Sequence, residues 1–236
     1  PSPCILVDGN FCPRGRDRRH HRRSGRRGKK HRRQNPGPAA GFDYLDTGAM
    51  YRAVALLARR HNLLEDAERL SMHLDTAALE ITGGLVRLNG EDVTGLLRDP
   101  EVTRGSSLVA AIPAVRAFLV RAQRQAAQGR SIICEGRDQG TVVFPGALCK
   151  FFLTAHPRER ARRRLEDMAR QGKELPALDD LERQIAERDE RDATRQDSPM
   201  VPAADACLVD TTSMTLEQVM DHLAVTIRRA MEGAGR

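Results

Sequence analysis

Along this 236-residue chain, short apolar runs of strand length alternate with longer stretches of helical period, and that alternation restricts the fold more than any other feature. Two strands of one sheet joined through a helix pair in parallel by a right-handed crossover, so repeated alternation predicts an α/β protein built on a parallel sheet. Residues 5–9 read as a first strand, and 131–134, 150–154 and 206–210 as later ones. Helical spacing covers 47–61, 102–128 (broken before Pro113), 157–171, 181–194 and 215–231, with a polar, acidic link after residue 61. Residues 74–97 leave this pattern: apolar positions from Leu85 to Val93 alternate around Asn89-Gly90, a strong hairpin signal. That stretch reads as a small β-rich insertion, or as a surface hairpin with no chemistry.

Four runs carry polar chemistry. Tyr44-Leu45-Asp46-Thr47-Gly48-Ala49-Met50-Tyr51-Arg52 opens a helical pattern, and either Asp46 or Thr47 has the oxygen to cap it. With Thr47 at the cap, Tyr51 and Arg52 lie one turn on, so the three can face one anion; a capped surface helix with an incidental arginine fits the same run. Ser107 to Arg116 and Ile133 to Pro145 hold the second and third runs, the latter with Glu135, Arg137 and Asp138 just past a buried strand. Strand ends are where open α/β sheets bind ligands, although Arg137 could equally make an ordinary ion pair there. In the fourth run, Glu187 to Arg195, Arg188, Asp192 and Arg195 fall at i, i+4 and i+7 on one helix face, a spacing that a salt-bridged solvent face shares.

Taken together, these runs resemble, in order, the motifs of bacterial cytidylate kinases, and the likeness extends from about Gly41 to the C-terminus, including Val201-Pro202-Ala203-Ala204-Asp205-Ala206. The resemblance implies a P-loop nucleoside monophosphate kinase core with helices on both faces of the sheet, a monophosphate-binding insertion at about 62–105 and a mobile lid at about 155–175. It implies phosphoryl transfer from ATP to CMP or dCMP, giving CDP or dCDP and ADP, with Mg²⁺ accompanying ATP, in pyrimidine nucleotide metabolism. Thr47, Tyr51, Arg52, Ser107, Arg116, Arg137 and Asp138 would hold CMP, with Asp138 accepting from the cytosine amino group. Arg188 and Arg195 would be catalytic phosphate ligands, and Asp192 would orient them and touch the sugar. Arg160, Arg163 and Arg164 would be lid arginines over ATP, although charge runs of this kind are usually solvated. Asp8 and Gly9 would lead into the ATP phosphate loop, and Glu135 could help hold Mg²⁺ through water.

The loop itself is not written in the chain. Residues 10–40 contain no GxxxxGK[ST], the pattern whose amides, lysine and hydroxyl hold ATP phosphates and Mg²⁺; Gly28-Lys29 is followed by Lys30. Between Arg14 and Arg33 stand ten Arg, two Lys and three His against one Asp, a formal +11; the whole chain carries +7, so the remainder carries −4. A block of like charge without apolar period predicts disorder or an extended arm. Three readings stay open for it: an arm that binds nucleic acid or polyphosphate, a solvated insertion without function, or translation of a wrong reading frame. It holds no aromatic residue, which argues against a structured single-strand site.

A functional alternative follows: a relic that binds CMP but lacks ATP anchoring, or a nucleic-acid binder acting through the arm. The five cysteines, Cys4, Cys12, Cys134, Cys149 and Cys207, make no CxxC pair and no zinc spacing, which suits free thiols in a reducing cytoplasm. No apolar stretch approaches the ~20 residues of a membrane span, and no signal-peptide pattern opens the chain. The expected protein is a cytoplasmic monomer with ATP and CMP or dCMP as its ligands.

Overall fold

The computed structural model describes residues 4–9 and 42–234. The basic segment 10–40, Cys12 and the expectation of disorder there lie outside the described residues. Five strands, β1 (Cys4–Gly9), β2 (Asp43–Asp46), β6 (Ile132–Gly136), β7 (Cys149–Thr154) and β8 (Cys207–Asp210), form one sheet in the order β2-β6-β1-β7-β8. Every pairing in it is parallel. A second, antiparallel sheet joins β3 (Leu79–Thr82), β4 (Leu85–Leu88) and β5 (Glu91–Asp92). The turn between β4 and β5 is built by Asn89 (φ 51°) and Gly90 (φ 82°), the left-handed pair that a two-residue hairpin requires.

Parallel sheets must be covered on both faces, and β1 shows how. Its consecutive residues Leu6 and Ile5 point to opposite sides. Leu6 packs with Met50, Val54 and Leu119, from α1 (Thr47–Arg60) and α4 (Pro113–Ala126). Ile5 packs with Phe151, Val209 and Leu223, the last from α7 (Leu216–Ala234). Helix α3 (Pro100–Val109) lies against α1, and α5 (Pro157–Arg170) lies against α6 (Leu178–Thr194). The break before Pro113 separates α3 from α4, with Pro113 in the first turn, where its missing N–H costs nothing.

Two elements differ from the sequence reading. Residues 43–46, which the sequence reading gave no strand, form β2; α1 begins at Thr47 as expected, with Asp46 as its cap, its Oδ1 accepting from the Ala49 amide at 2.8 Å. Tyr44 and Leu45 are strand formers, and parallel pairing with β6 decides their state. The polar link after residue 61 contains a helix, α2 (Ala67–Asp75), capped by Asp66. Only Leu70 and Leu74 are buried on it, too few positions to register as an apolar period.

Candidate active site

The C-terminal ends of β1, β2 and β6 lie side by side and build the floor of the site. The Thr47 hydroxyl donates to the Glu135 carbonyl at 2.6 Å, and the Tyr44 hydroxyl donates to Glu135 Oε2 at 2.5 Å, tying the end of β2 and the start of α1 to β6. Thr47 is therefore a buried brace, and the expectation that it faces an anion beside Arg52 is corrected: its one donor is already committed. Beyond Gly136 the chain turns through Arg137 and Asp138 into a five-residue π-turn, Gln139–Val143. Gly136 has no room for a side chain, since a Cβ there would lie 2.5 Å from the Gln139 side chain.

Asp8 and Gly9 hold this floor from β1. Asp8 Oδ1 accepts from the Gln139 amide at 2.9 Å and Oδ2 from the Gly140 amide at 2.7 Å. Burial pushes the Asp8 carboxyl up to about 6, against the pull of those two amides. Gly9 adopts φ 102°, and a Cβ on it would sit 2.3 Å from the Leu153 carbonyl oxygen, so only glycine fits against β7. Both residues were expected to lead into ATP contacts; in the structure their groups are engaged with the protein's own backbone.

Above the floor, five arginines gather with three aspartates between them. Arg52 pairs with Asp46 at 3.3 Å. Arg116 is buried, ion-paired to Asp138, and donates to the Tyr51 hydroxyl at 3.2 Å, with its guanidinium 6.0 Å from that ring's centre. Asp192 stands between Arg137 (3.3 Å) and Arg195 (3.7 Å), and Arg195 also donates twice to the Ser198 carbonyl, at 3.1 and 2.7 Å. Arg137 further contacts the Gly9 carbonyl. Arg188 alone of the five makes no hydrogen bond or ion pair among the described residues. Its surface is open to solvent, yet it stands in a crowded cleft: desolvation, then the positive charge of Arg137, lowers its guanidinium to about 10. Burial likewise raises the Asp138 carboxyl against the opposing pull of Arg116 and Arg195.

With each aspartate paired, five guanidiniums against three carboxylates leave an excess of two positive charges, a match for a phosphate dianion. The Nε atoms of Arg52 and Arg116 are buried without a partner among the described residues. Beside them opens a cleft of about 430 Å³ between the α3–α4 corner and the end of α6, lined by Ser107, Ala111, Arg188, Asp192 and Arg195. Arg52, Arg116, Arg137 and Asp138 are outside that lining: Arg137 joins it through Asp192, Arg116 and Asp138 are electrostatic neighbours of Arg195, and Arg52 is one of Arg188. The geometry thus brings Tyr51, Arg52, Ser107, Arg116, Arg137, Asp138, Arg188, Asp192 and Arg195 to one region.

The three expected lid arginines separate. Arg163 is 2% exposed and is a fold residue: it donates to the Thr211 carbonyl at 2.6 Å and the Thr211 hydroxyl at 3.2 Å, and it pairs with Glu159 at 2.8 Å. That corrects its assignment to ATP, because every face of its guanidinium closes on the protein. Arg160 is buried against Asp189 of α6, and Arg164 stands exposed without a bond among the described residues. Glu135 keeps Oε1 outside its bond to Tyr44, and no cluster of three metal-ligating side chains occurs among the described residues. Asp46 and Asp189, each answering an arginine of the set, were missed as pairing partners; Asp46 had been seen only as a cap. Lining residues Arg191 and Asp197 were also missed, lying beside the arginine pattern and not in it.

A family model described as Cytidylate kinase matches residues 28–229. Among curated relatives, a protein named cytidylate kinase from Caldanaerobacter subterraneus subsp. tengcongensis is 43% identical over 82% of this chain and 86% of its own. The cytidylate kinase of Solibacter usitatus is 43% identical over 80% of this chain and 82% of its own. That of Pelotomaculum thermopropionicum is 47% identical over 79% and 85% respectively. No single helix among the described residues is long and apolar enough to cross a membrane.

Proposed function

The chain belongs to the cytidylate kinase family, and from that premise we propose that it transfers the γ-phosphoryl group of ATP to CMP or dCMP. The observation that carries this reading is the arginine cluster with its excess of two positive charges at the strand ends, open to a cleft beside Ser107. Phosphoryl transfer asks a protein mostly for positioning and for positive charge around the moving group. Arg52, Arg116 and Arg137 hold the CMP phosphate in this reading, Ser107 and Asp138 hold the base, and Asp192 orients Arg137 and Arg195. A CMP phosphate oxygen attacks the γ-phosphorus in line as the bond to the β–γ bridging oxygen breaks, releasing ADP and CDP. Arg188, which makes no ion pair among the described residues, stabilises the charge that develops on the transferring group. The lid spans about 155–175, with Arg160 and Arg164 as its arginines, and the monophosphate-binding insertion spans about 62–105.

Mg²⁺ would arrive on the ATP phosphates, since this ion is usually held by one or two carboxylates together with substrate phosphates. Glu135, with Oε1 outside its bond to Tyr44, is the carboxylate that suits it. The block 10–40 stands, in this reading, where the phosphate loop belongs. A cytoplasmic monomer completes the proposal; four free thiols among the described residues, Cys4, Cys134, Cys149 and Cys207, suit the reducing compartment. The relatives' shared name favours neither a CMP-binding relic nor a nucleic-acid binder.

The test is CMP-dependent ADP production by this chain with Mg²⁺-ATP, beside a version carrying a GxxxxGKS loop between Gly9 and Gly41. Turnover in the chain as written supports the proposal outright. Turnover only with the loop restored means that the CMP site is sound and the block is a lesion. Turnover in neither, with CMP still stabilising the fold, makes the protein a relic; steep salt-dependent RNA or DNA binding lost on cutting 10–40 makes it a nucleic-acid binder.

A further inference from the structure

Asp138 occupies the N-cap position of the π-turn, with φ −138° and ψ 26°, yet its side chain makes no bond to that turn. An N-cap aspartate ordinarily folds back and accepts from the amides of the first turn, because those donors have no partner within the helix. Here the first two are already taken. Gln139 and Gly140 donate to the two oxygens of Asp8, which reaches across from β1 and is 5% exposed. The turn cannot retreat from this contact. At Gly140 a Cβ would lie 3.3 Å from Asp8 Oδ2, from Lys150 Cδ and from Ala203 Cβ alike. Lys150 in turn holds the far end of the same loop through the Pro145 carbonyl at 2.5 Å and pairs with Asp205 at 2.7 Å.

We infer that Asp8 is a positioning residue for Asp138: by capping the π-turn from a neighbouring strand, it leaves the Asp138 carboxylate turned outward to Arg116 and the substrate. The two carboxylates divide one task that a single aspartate usually performs alone. Asp8 satisfies the amides, and Asp138, relieved of them, pairs with Arg116 on α4. Loss of Asp8 leaves two amide donors that Asp138, the N-cap residue beside them, can fold back to accept from, at the expense of its contact with Arg116. The consequence for catalysis rests on the CMP reading above; the consequence for the turn does not.

The experiment is a double-mutant cycle on the full chain with Asp8→Asn, Asp138→Asn and both, reading CMP binding by calorimetry and amide exchange at residues 139 and 140. Asp8→Asn should weaken CMP binding by ~10-fold, and the double variant should bind no more weakly than Asp138→Asn alone, because one residue acts through the other. Additive losses, or wild-type CMP affinity in Asp8→Asn, would overturn the inference. Exchange at Gln139 and Gly140 should quicken in Asp8→Asn; protection equal to wild type would also overturn it. A crystal structure of Arg116→Gln tests the idea without touching Asp8. There Asp138 should remain turned away from Gly140, whereas an Asp138 folded back onto that amide would show that Arg116 alone had held it out. If wild type bound no CMP, the kinase proposal would fail, while the exchange rates and the Arg116→Gln structure would still decide the role of Asp8.

Discussion

Helices α5 and α6 are both dense in arginine and acid and pack against each other, yet they use their charges differently. On α5, Arg158 reaches Asp179 and Glu182, Arg160 meets Asp189, Arg162 bridges Glu159 and Glu166, and Arg163 closes over the start of the β8–α7 turn. On α6, Arg188 meets no counter-charge within bonding distance among the described residues, and Asp192 is shared between Arg137, past the end of β6, and Arg195, the residue that ends α6. A guanidinium whose donors are all taken holds the protein together. One left uncompensated in a cleft is costly to the apo fold and useful only when an anion arrives, which is the signature of a site.

The sharpest way to break this contrast is at Arg188. Arg188→Ala is expected to cut CMP-dependent turnover ~10²–10³-fold while leaving the melting temperature unchanged or slightly higher. Unchanged turnover with only a raised KM would assign Arg188 to ground-state binding and erase the distinction between the helices. Arg163→Met should do the reverse, costing about 2 kcal/mol in urea unfolding by removing buried charge-assisted bonds to Thr211 and Glu159, which keep the Met214 amide and Arg162 as their other partners, with turnover per folded molecule little altered. A stable Arg163→Met that lost activity would return this residue to the lid.

Asp8 offers a third measurement, on the buried carboxylate of β1. Its carboxyl is raised from 3.8 to about 6, so its contribution to stability is full below pH 3.8 and is lost as pH rises through 6. Wild type should therefore lose about 3 kcal/mol relative to Asp8→Asn between pH 4 and pH 7, read by denaturant unfolding across that range. A pH-independent difference would place the group at its ordinary value. The smallest effect belongs to Arg162, half-exposed between Glu159 and Glu166, where Arg162→Ala should cost no more than ~0.5 kcal/mol and fade in salt. A larger loss would mean that the α5 surface network is cooperative.

These contrasts also show what the chain discloses before it folds. Most strand and helix positions were legible because a period of two or of 3.6 is a local property, and Asn89-Gly90 announces its own turn. Helix α2 was not, since two buried leucines make no period, and β2 was not, because Tyr44 to Asp46 become strand only through pairing with β6. At the site, residue types and spacing pointed to Arg188, Asp192 and Arg195 together. They could not separate Arg163 from Arg164, adjacent arginines on one helix, because the carbonyl at Thr211 that claims the first is 48 residues away. The brace from Thr47 to the Glu135 carbonyl and the cap from Asp8 to Gly140 are likewise contacts across strands, invisible to any window on the sequence.

The central place of β1 has a consequence in time. Its six residues are made before the other strands of its sheet, but its two neighbours, β6 and β7, begin only at Ile132 and Cys149. A ribosome adding ~5–20 residues per second makes the nascent strand wait roughly 7–30 s for its second partner. Until β6 is made, the strand that will join the two halves of the sheet is an unpaired apolar segment, and the growing protein depends on whatever shelters it.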